Sequence, residues 1–352
     1  MKTGTSPADT PRALGFRMPA EWEPHEAIWL SWPHDPETFG PDIERIERCY
    51  GFLVSAIHEA ERVELFVAGE PMRKRALAVL AKARVDLSRV RFHVFAYADV
   101  WFRDYGPTFV LRDERPRLAL VRWIFNAWGG KYEELKGDTR IPGLIASKLG
   151  LPAFAPGVVL EGGSIDVNGR GALLTTEQCL LNKNRNPQLS RDDIEKLLRD
   201  YLGASRVIWL KEGIAGDDTD GHVDDIARFV GPSTVVCSVE DDASDANYRP
   251  LKECFETLSR SQDQDGKVLD VVRLPMPEPI EVAGRRLPAS YANFYIGNGV
   301  LLVPIFGCPQ DESALSTLAQ VFPGRRIAPI PCRDLVGGLG ALHCISQQQP
   351  LA

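Results

Sequence analysis

The sequence predicts an α/β fold, built as one continuous domain from several similar strand–helix units. Three observations predict it. Short runs rich in β-branched and aromatic residues alternate along the chain with longer amphipathic runs. Two apolar runs flank Gly297-Asn298-Gly299, a hairpin signal that breaks the pattern of a simple parallel sheet. No composition shift or linker long enough to separate domains interrupts the 352 residues; the Asp/Gln-rich stretch 261–267 and the cluster Pro275, Pro277 and Pro279 read as surface loops.

Taken in order, strands are expected at 27–32, 63–68, 90–95 and 118–123. Between the first two, residues 42–61 place Ile43, Ile46, Tyr50, Leu53, Ile57 and Ala60 on one helical face. Ser190 is a credible N-cap for a helix over 191–202 that buries Ile194, Leu197, Leu198 and Tyr201. Strands follow at 207–210, 227–230 and 234–239, then a helix around 248–258. The runs 290–296 and 300–306 form the hairpin, and a helix over 311–322 and a strand near 326–330 complete the pattern. The polar residues 1–16 read as a flexible tail and 17–352 as the folded domain; with no apolar signal segment, the expected compartment is the cytoplasm.

Hydrophobic residues make up 44% and charged residues 25% of the chain, as in water-soluble globular proteins. No run of about 18 apolar residues is present, so no membrane partner is expected. The net charge of −7 weighs against a nucleic-acid partner and suits a cationic ligand. Seven cysteines without paired spacing make neither a disulfide framework nor a zinc site, and Cys49, Cys179, Cys237 and Cys254 read as small core residues. Neither a Gly-x-Gly-x-x-Gly turn nor a Walker A lysine is found, so nucleotide cofactors lose their main support.

The chemistry centres on Cys344, in the run Gly340-Ala341-Leu342-His343-Cys344. A buried structural thiol is the ordinary alternative. Gly337, Gly338 and Gly340, which leave room for a ligand, and the polar His343 favour a nucleophile. His222 lies among Asp217, Asp218, Asp220, Asp224 and Asp225, in an order that does not fit a calcium loop. If the chain after Gly221 is extended, His222 and Asp224 share one face and Asp225, read as structural, takes the other. Asp104, flanked by Trp101, Phe102 and Tyr105, needs a partner if buried, and Glu161 ends an apolar run before two glycines. One substrate class accounts for all of them. A guanidinium is planar and cationic, and two carboxylates can grip its fork of donors. Asp104 and Asp224 would hold it, Cys344 would attack its carbon, and His222, oriented by Glu161, would act as acid and base, without metal or cofactor.

The chain resembles the agmatine deiminase and bacterial-type peptidylarginine deiminase family. The resemblance runs through Met18 to His25, Trp101-Phe102-Arg103-Asp104, Phe125 to Gly130, Leu160 to Ser164, Cys179 to Pro187, Gly221-His222-Val223-Asp224, Ala289 to Tyr295 and His343 to Pro350. It implies the pentein fold, a five-bladed α/β propeller of ββαβ-type units around a central active-site channel. It also implies Cys344 as nucleophile, His222 as acid/base, Glu161 as its partner, and Asp104 and Asp224 as clamps. Trp101 would wall the channel, and core packing is the expected role of Trp22. The implied reaction is agmatine hydrolysis to N-carbamoylputrescine and ammonia, in a homo-oligomer such as a dimer. The segment before His222 is one residue shorter than the family's usual form, and Ala341-Leu342 replaces a usual Asn-Ile. Acidic residues of that segment, such as Asp218, are placed to read a distal ammonium, so free or peptidyl arginine or another alkylguanidine is the alternative substrate.

Overall fold

A computed structural model describes residues 9–352. Five sheets repeat one plan. In each, a strand pairs antiparallel with a second strand, which pairs in parallel with a third reached through a helical crossover. The second blade is Thr108–Leu111, Leu118–Val121 and Ala153–Phe154, and the third is Asp166–Val167, Ala172–Thr176 and Arg206–Leu210. The fourth is Ala227–Phe229, Thr234–Val239 and Asp270–Pro275, and the fifth is Tyr295–Gly297, Val300–Ile305 and Arg326–Pro331. In the first blade the leading strand is supplied from the far end of the chain. Ser346–Pro350 lies antiparallel to His25–Ser31, which pairs in parallel with Arg62–Val67, itself parallel to Val90–Val94.

Neighbouring blades pack on one another. The helix Ile43–Ile57 of the first blade lies against Val300–Ile305 and Arg326–Pro331 of the fifth, and Ser346–Pro350 touches Thr108–Leu111 of the second. The second and third share an apolar cluster that includes Val110, Val121, Ile165 and Leu173. Asp166–Val167 meets Ala227–Phe229, and the helix Gln310–Val321 meets Asp270–Pro275. Among the described residues no helix is long and apolar enough to cross a membrane.

The local signals act as expected where capping is strong. Ser190 accepts from the Asp193 amide and Asp193 accepts from the Ser190 amide, a reciprocal cap that starts Arg191–Leu202; Gly203 at φ 78 ends it. The Gly297–Val300 hairpin forms, but of residues 290–296 only Tyr295 onward is strand. Ser290 and Asn293 turn their side chains onto local backbone and onto Asp225, an alternative to ladder pairing. The expected tail is also corrected. Residues 1–8 lie outside the described residues, but Arg12–Leu14 forms a 3-10 turn and Phe16, only 3% exposed, packs with Val110 and Leu202. Helix Glu70–Lys82 and strand Ala172–Thr176 escaped the pattern reading. Pro71 opens the helix at its first turn, and the strand is buried on both faces and does not alternate.

Candidate active site

The five blade-to-blade connections carry the candidate residues, each just before the next blade's first strand. Asp104 sits on the short helix Phe102–Tyr105 before Thr108, and Glu161 opens the turn Gly162–Ser164 before Asp166. His222 and Asp224 flank Val223 before Ala227, Asn293 precedes Tyr295, and Cys344 precedes Ser346. The repeat therefore gathers residues from remote segments at one end of the blades. The run after Gly221 is not extended. It winds as a 3-10 turn over Val223–Asp225, because Asp217 ties down the preceding loop through the amides of Thr219 (2.7 Å), Gly221 (2.7 Å) and His222 (3.2 Å). Asp225 consequently stays beside Asp224 and Cys344, with ligand atoms within 4.8 Å, instead of facing away.

The sequence-selected groups converge, all buried. His222 Nδ1 lies 3.6 Å from Asp104 Oδ1, and Nε2 lies 4.0 Å from Glu161 Oε2, beyond hydrogen-bond reach. Asp104 is fixed by the Gly163 amide (3.0 Å) on one oxygen and the Trp128 indole (2.9 Å) on the other. Glu161 Oε1 takes Arg185 Nε at 2.7 Å. The Cys344 sulfur receives Asn293 Nδ2 at 3.0 Å and lies 3.6 Å from Asp224 Oδ2. Glu161 Oε2, Asp224 Oδ1 and both His222 nitrogens are buried without a hydrogen bond, the histidine meeting Asp104 and Glu161 only at ion-pair distance. Buried polar atoms are rarely left unpaired, so this cluster is built to receive a donor-rich ligand.

Its electrostatics agree. Burial, with the charges of Asp224 and Glu161, raises Asp104 to about 6. Burial and the surrounding aspartates push the Cys344 thiol well above its ordinary range. Burial alone would lower His222, yet Asp104, Cys179 and Asp224 raise it well above the usual histidine range. An excess of negative charge thus faces the site, and a bound cation would relieve it.

A cavity of about 400 Å³ leads to the sulfur, lined among others by Trp101, Asp104, Trp128, Asp218 and Cys344. The Trp101 indole donates to Asp99 at 2.9 Å. Asp218 lies toward the mouth, accepting from the Tyr132 hydroxyl and 3.4 Å from Arg285. Trp22 is half-buried against the core and does not line the cavity. Asn293, Arg185, Trp128 and Gly163 were missed as site residues. Asn293 could have been found from its place before a blade, the position that Cys344 and Asp224 hold in theirs. Cys179 is fully buried, as expected, but its ligand atom lies within 4.8 Å of those of Glu161 and His222. That trio, and Asp224 with Asp225 and Cys344, are the groups whose donor atoms lie close enough to hold a metal ion among the described residues.

Residues 17–350 match the family described as Porphyromonas-type peptidyl-arginine deiminase. The chain belongs to that family. An agmatine deiminase of Stutzerimonas stutzeri is 39% identical over 369 residues, covering 98% of each chain. The structure of an Enterococcus faecalis agmatine deiminase superposes with a TM-score of 0.92 at 32% identity, covering 99% of this chain and 98% of that one. A cysteine-to-serine variant of C. jejuni agmatine deiminase with substrate bound gives 0.85 at 32% identity, covering 95% and 96%. The five-bladed arrangement is the pentein fold.

Within this family member, Gly163 offers a sharp test of the packed site. A Cβ there would fall 2.6 Å from His222 Nδ1, 2.9 Å from Asp104 Oδ1 and 3.1 Å from Asp224 Oδ2. Gly163→Ala is expected to lower kcat/KM about 100-fold through misplacement of those groups. Its circular dichroism should stay native; a variant with native activity would show that the three side chains have slack.

Proposed function

We propose that the protein hydrolyses the guanidinium group of agmatine, giving N-carbamoylputrescine and ammonia. The observation that carries this reading is the convergence of one thiol, one imidazole and three carboxylates from four remote segments on unpartnered, buried polar atoms. In this reading Asp104 and Asp224 grip the substrate's nitrogens. The incoming cation offsets the carboxylates that hold Cys344 protonated, and the thiol gives up its proton to solvent as the cation binds. The thiolate adds to the guanidinium carbon. Imidazolium His222 then protonates one nitrogen, which leaves as ammonia, and a thiouronium remains on Cys344. Neutral His222 takes a proton from water, the resulting hydroxide adds to the carbon, and as the C–S bond breaks the hydroxyl proton passes to the departing sulfur, releasing the ureido product and restoring the thiol. Glu161, held by Arg185, faces the histidine that changes charge. Trp101 walls the aliphatic stem and Asp218 faces the distal ammonium.

The names and substrate-bound state of the relatives support agmatine. Arg285 at the cavity mouth, able to meet a carboxylate, favours a second reading in which free or peptidyl arginine is the substrate. A ureido-forming colour assay over a panel of guanidines, with Cys344→Ala as control, separates them: turnover of agmatine above all others is expected. Activity confined to arginine compounds would overturn the assignment. On the resemblance alone we also read the chain as a cytoplasmic homodimer, which sedimentation and fractionation test.

The clamp sets a pH dependence. Below about 6 Asp104 is protonated and one arm of the grip loses its charge. The kcat/KM profile is therefore expected to fall on the acid side, roughly tenfold per pH unit below that point. A profile flat to pH 5 would contradict it.

A further inference from the structure

Cys179 stands among the candidate site residues, yet the reaction above gives it no task. Its sulfur, a carboxylate oxygen of Glu161 and a ring nitrogen of His222 lie within 4.8 Å of one another, and all three residues are buried. They come from separate elements: the helix Glu177–Leu180, the residue that opens the turn Gly162–Ser164, and the residue before the turn Val223–Asp225. His222 Nε2 and Glu161 Oε2 are 4.0 Å apart, and neither makes a hydrogen bond.

Thiolate sulfur, imidazole nitrogen and carboxylate oxygen are the donors that zinc prefers, and three protein ligands leave its fourth position open. Ligands about 2.0–2.3 Å from a tetrahedral zinc stand roughly 3.4–3.6 Å apart, so side-chain shifts of about half an ångström bring the histidine and glutamate into range. The charge also fits, since one thiolate and one carboxylate match a dication beside a neutral ring. Glu161 is already oriented for this role. Its Oε1 is taken by Arg185 Nε at 2.7 Å, which leaves Oε2 toward the histidine. The Cys179 amide donates to Thr176 Oγ1 at 3.1 Å and fixes the backbone that carries the sulfur. The other close group, Asp224 with Asp225 and Cys344, is a poorer host. It offers no nitrogen, and His343 and Asn293 already occupy one oxygen of each aspartate. Entry is by the cavity, whose lining includes Asp104; Asp104 Oδ1 lies 3.6 Å from the His222 ring, so a cation drawn in by the carboxylates arrives beside the trio.

We propose that Glu161, Cys179 and His222 form an inhibitory zinc site. The Cys179 thiol and the His222 imidazolium release their protons to solvent as the metal enters, and sulfur, nitrogen and oxygen each donate an electron pair to it. A metallated ring has no free lone pair to take a proton and holds its remaining N–H too tightly to give it up, so the acid and base steps stop. Zinc here is a brake that a chelator removes, and the reaction does not require it. The inhibition rests on the proposed reaction; the coordination does not.

Cobalt(II) is the probe, because its spectrum reports a bound thiolate. One equivalent added to the native protein should give a thiolate-to-cobalt charge-transfer band and the intense visible absorption of a four-coordinate ion, and zinc should bleach both. The bands should survive in Cys344→Ala and vanish in Cys179→Ser. Bands that vanish in Cys344→Ala, or survive in Cys179→Ser, overturn the proposal, as does their absence from the native protein at about ten equivalents. If Cys179→Ser does not fold, His222→Gln takes its place and has to lose the bands that Cys344→Ala keeps. Turnover is the second readout. Zinc should cut agmatine turnover of the native protein at least about tenfold, with recovery on adding a chelator, and Cys179→Ser should need at least about tenfold more zinc for the same loss. Equal sensitivity in the two proteins would place the inhibition elsewhere and overturn the brake. A chain inactive on agmatine that still shows the cobalt bands would sink the substrate reading and leave the metal site standing.

Discussion

Replacing Cys344 with alanine is expected to lower kcat by at least about 10⁴-fold while the fold and substrate affinity survive. The expected size follows from losing the nucleophile, without which the clamp and histidine alone leave a small residual rate. The substitution removes one sulfur and keeps the Cβ, so the Asn293 amide loses one contact of 3.0 Å and still donates to Asp225 at 2.9 Å. Binding should be retained because Asp104 and Asp224 are untouched. Calorimetry with agmatine and a thermal melt measure this separately from turnover. An alanine variant with a tenth of native activity would remove Cys344 from the mechanism.

His222→Gln should cost about 10³- to 10⁴-fold in kcat, the upper part of the range for a positioned acid/base. Glutamine cannot deliver a proton to the departing nitrogen, nor take one from water. The substitution removes the ion pair with Asp104 at 3.6 Å and keeps a polar side chain of similar reach, so a thermal melt is read beside turnover to separate stability from chemistry. Intact-protein mass spectrometry after mixing with agmatine gives the decisive readout. Should His222 serve the second step more than the first, a Cys344 adduct equal to substrate minus ammonia accumulates. A native rate, with no adduct, would refute the role.

Much of the architecture was legible because its signals are local. Ser190 and Asp193 are neighbours, as are the hairpin residues around Asn298, and their geometry needs nothing remote. The groups chosen for the site were legible for a similar reason: Asp104, Glu161, His222, Asp224 and Cys344 each sit in a contiguous motif whose residue types make little sense singly. What the sequence concealed is pairing across distance. Glu21 and His343 are 322 positions apart, and nothing in either stretch announces the other. Nor did alternation reveal that Ser290 to Phe294 would be a buried turn, since its outcome depends on Asp225. The loop geometry after Gly221 was misjudged for an analogous cause, the multiple backbone bonds of Asp217.

The edge pairing of Ser346–Pro350 with His25–Ser31 closes the ring of blades like a clasp. The Cys344 sulfur immediately precedes Ser346–Pro350, so its seat depends on that segment being zipped onto a strand more than 300 positions away. A nick that frees this segment would therefore unseat the sulfur from the residues gathered around it.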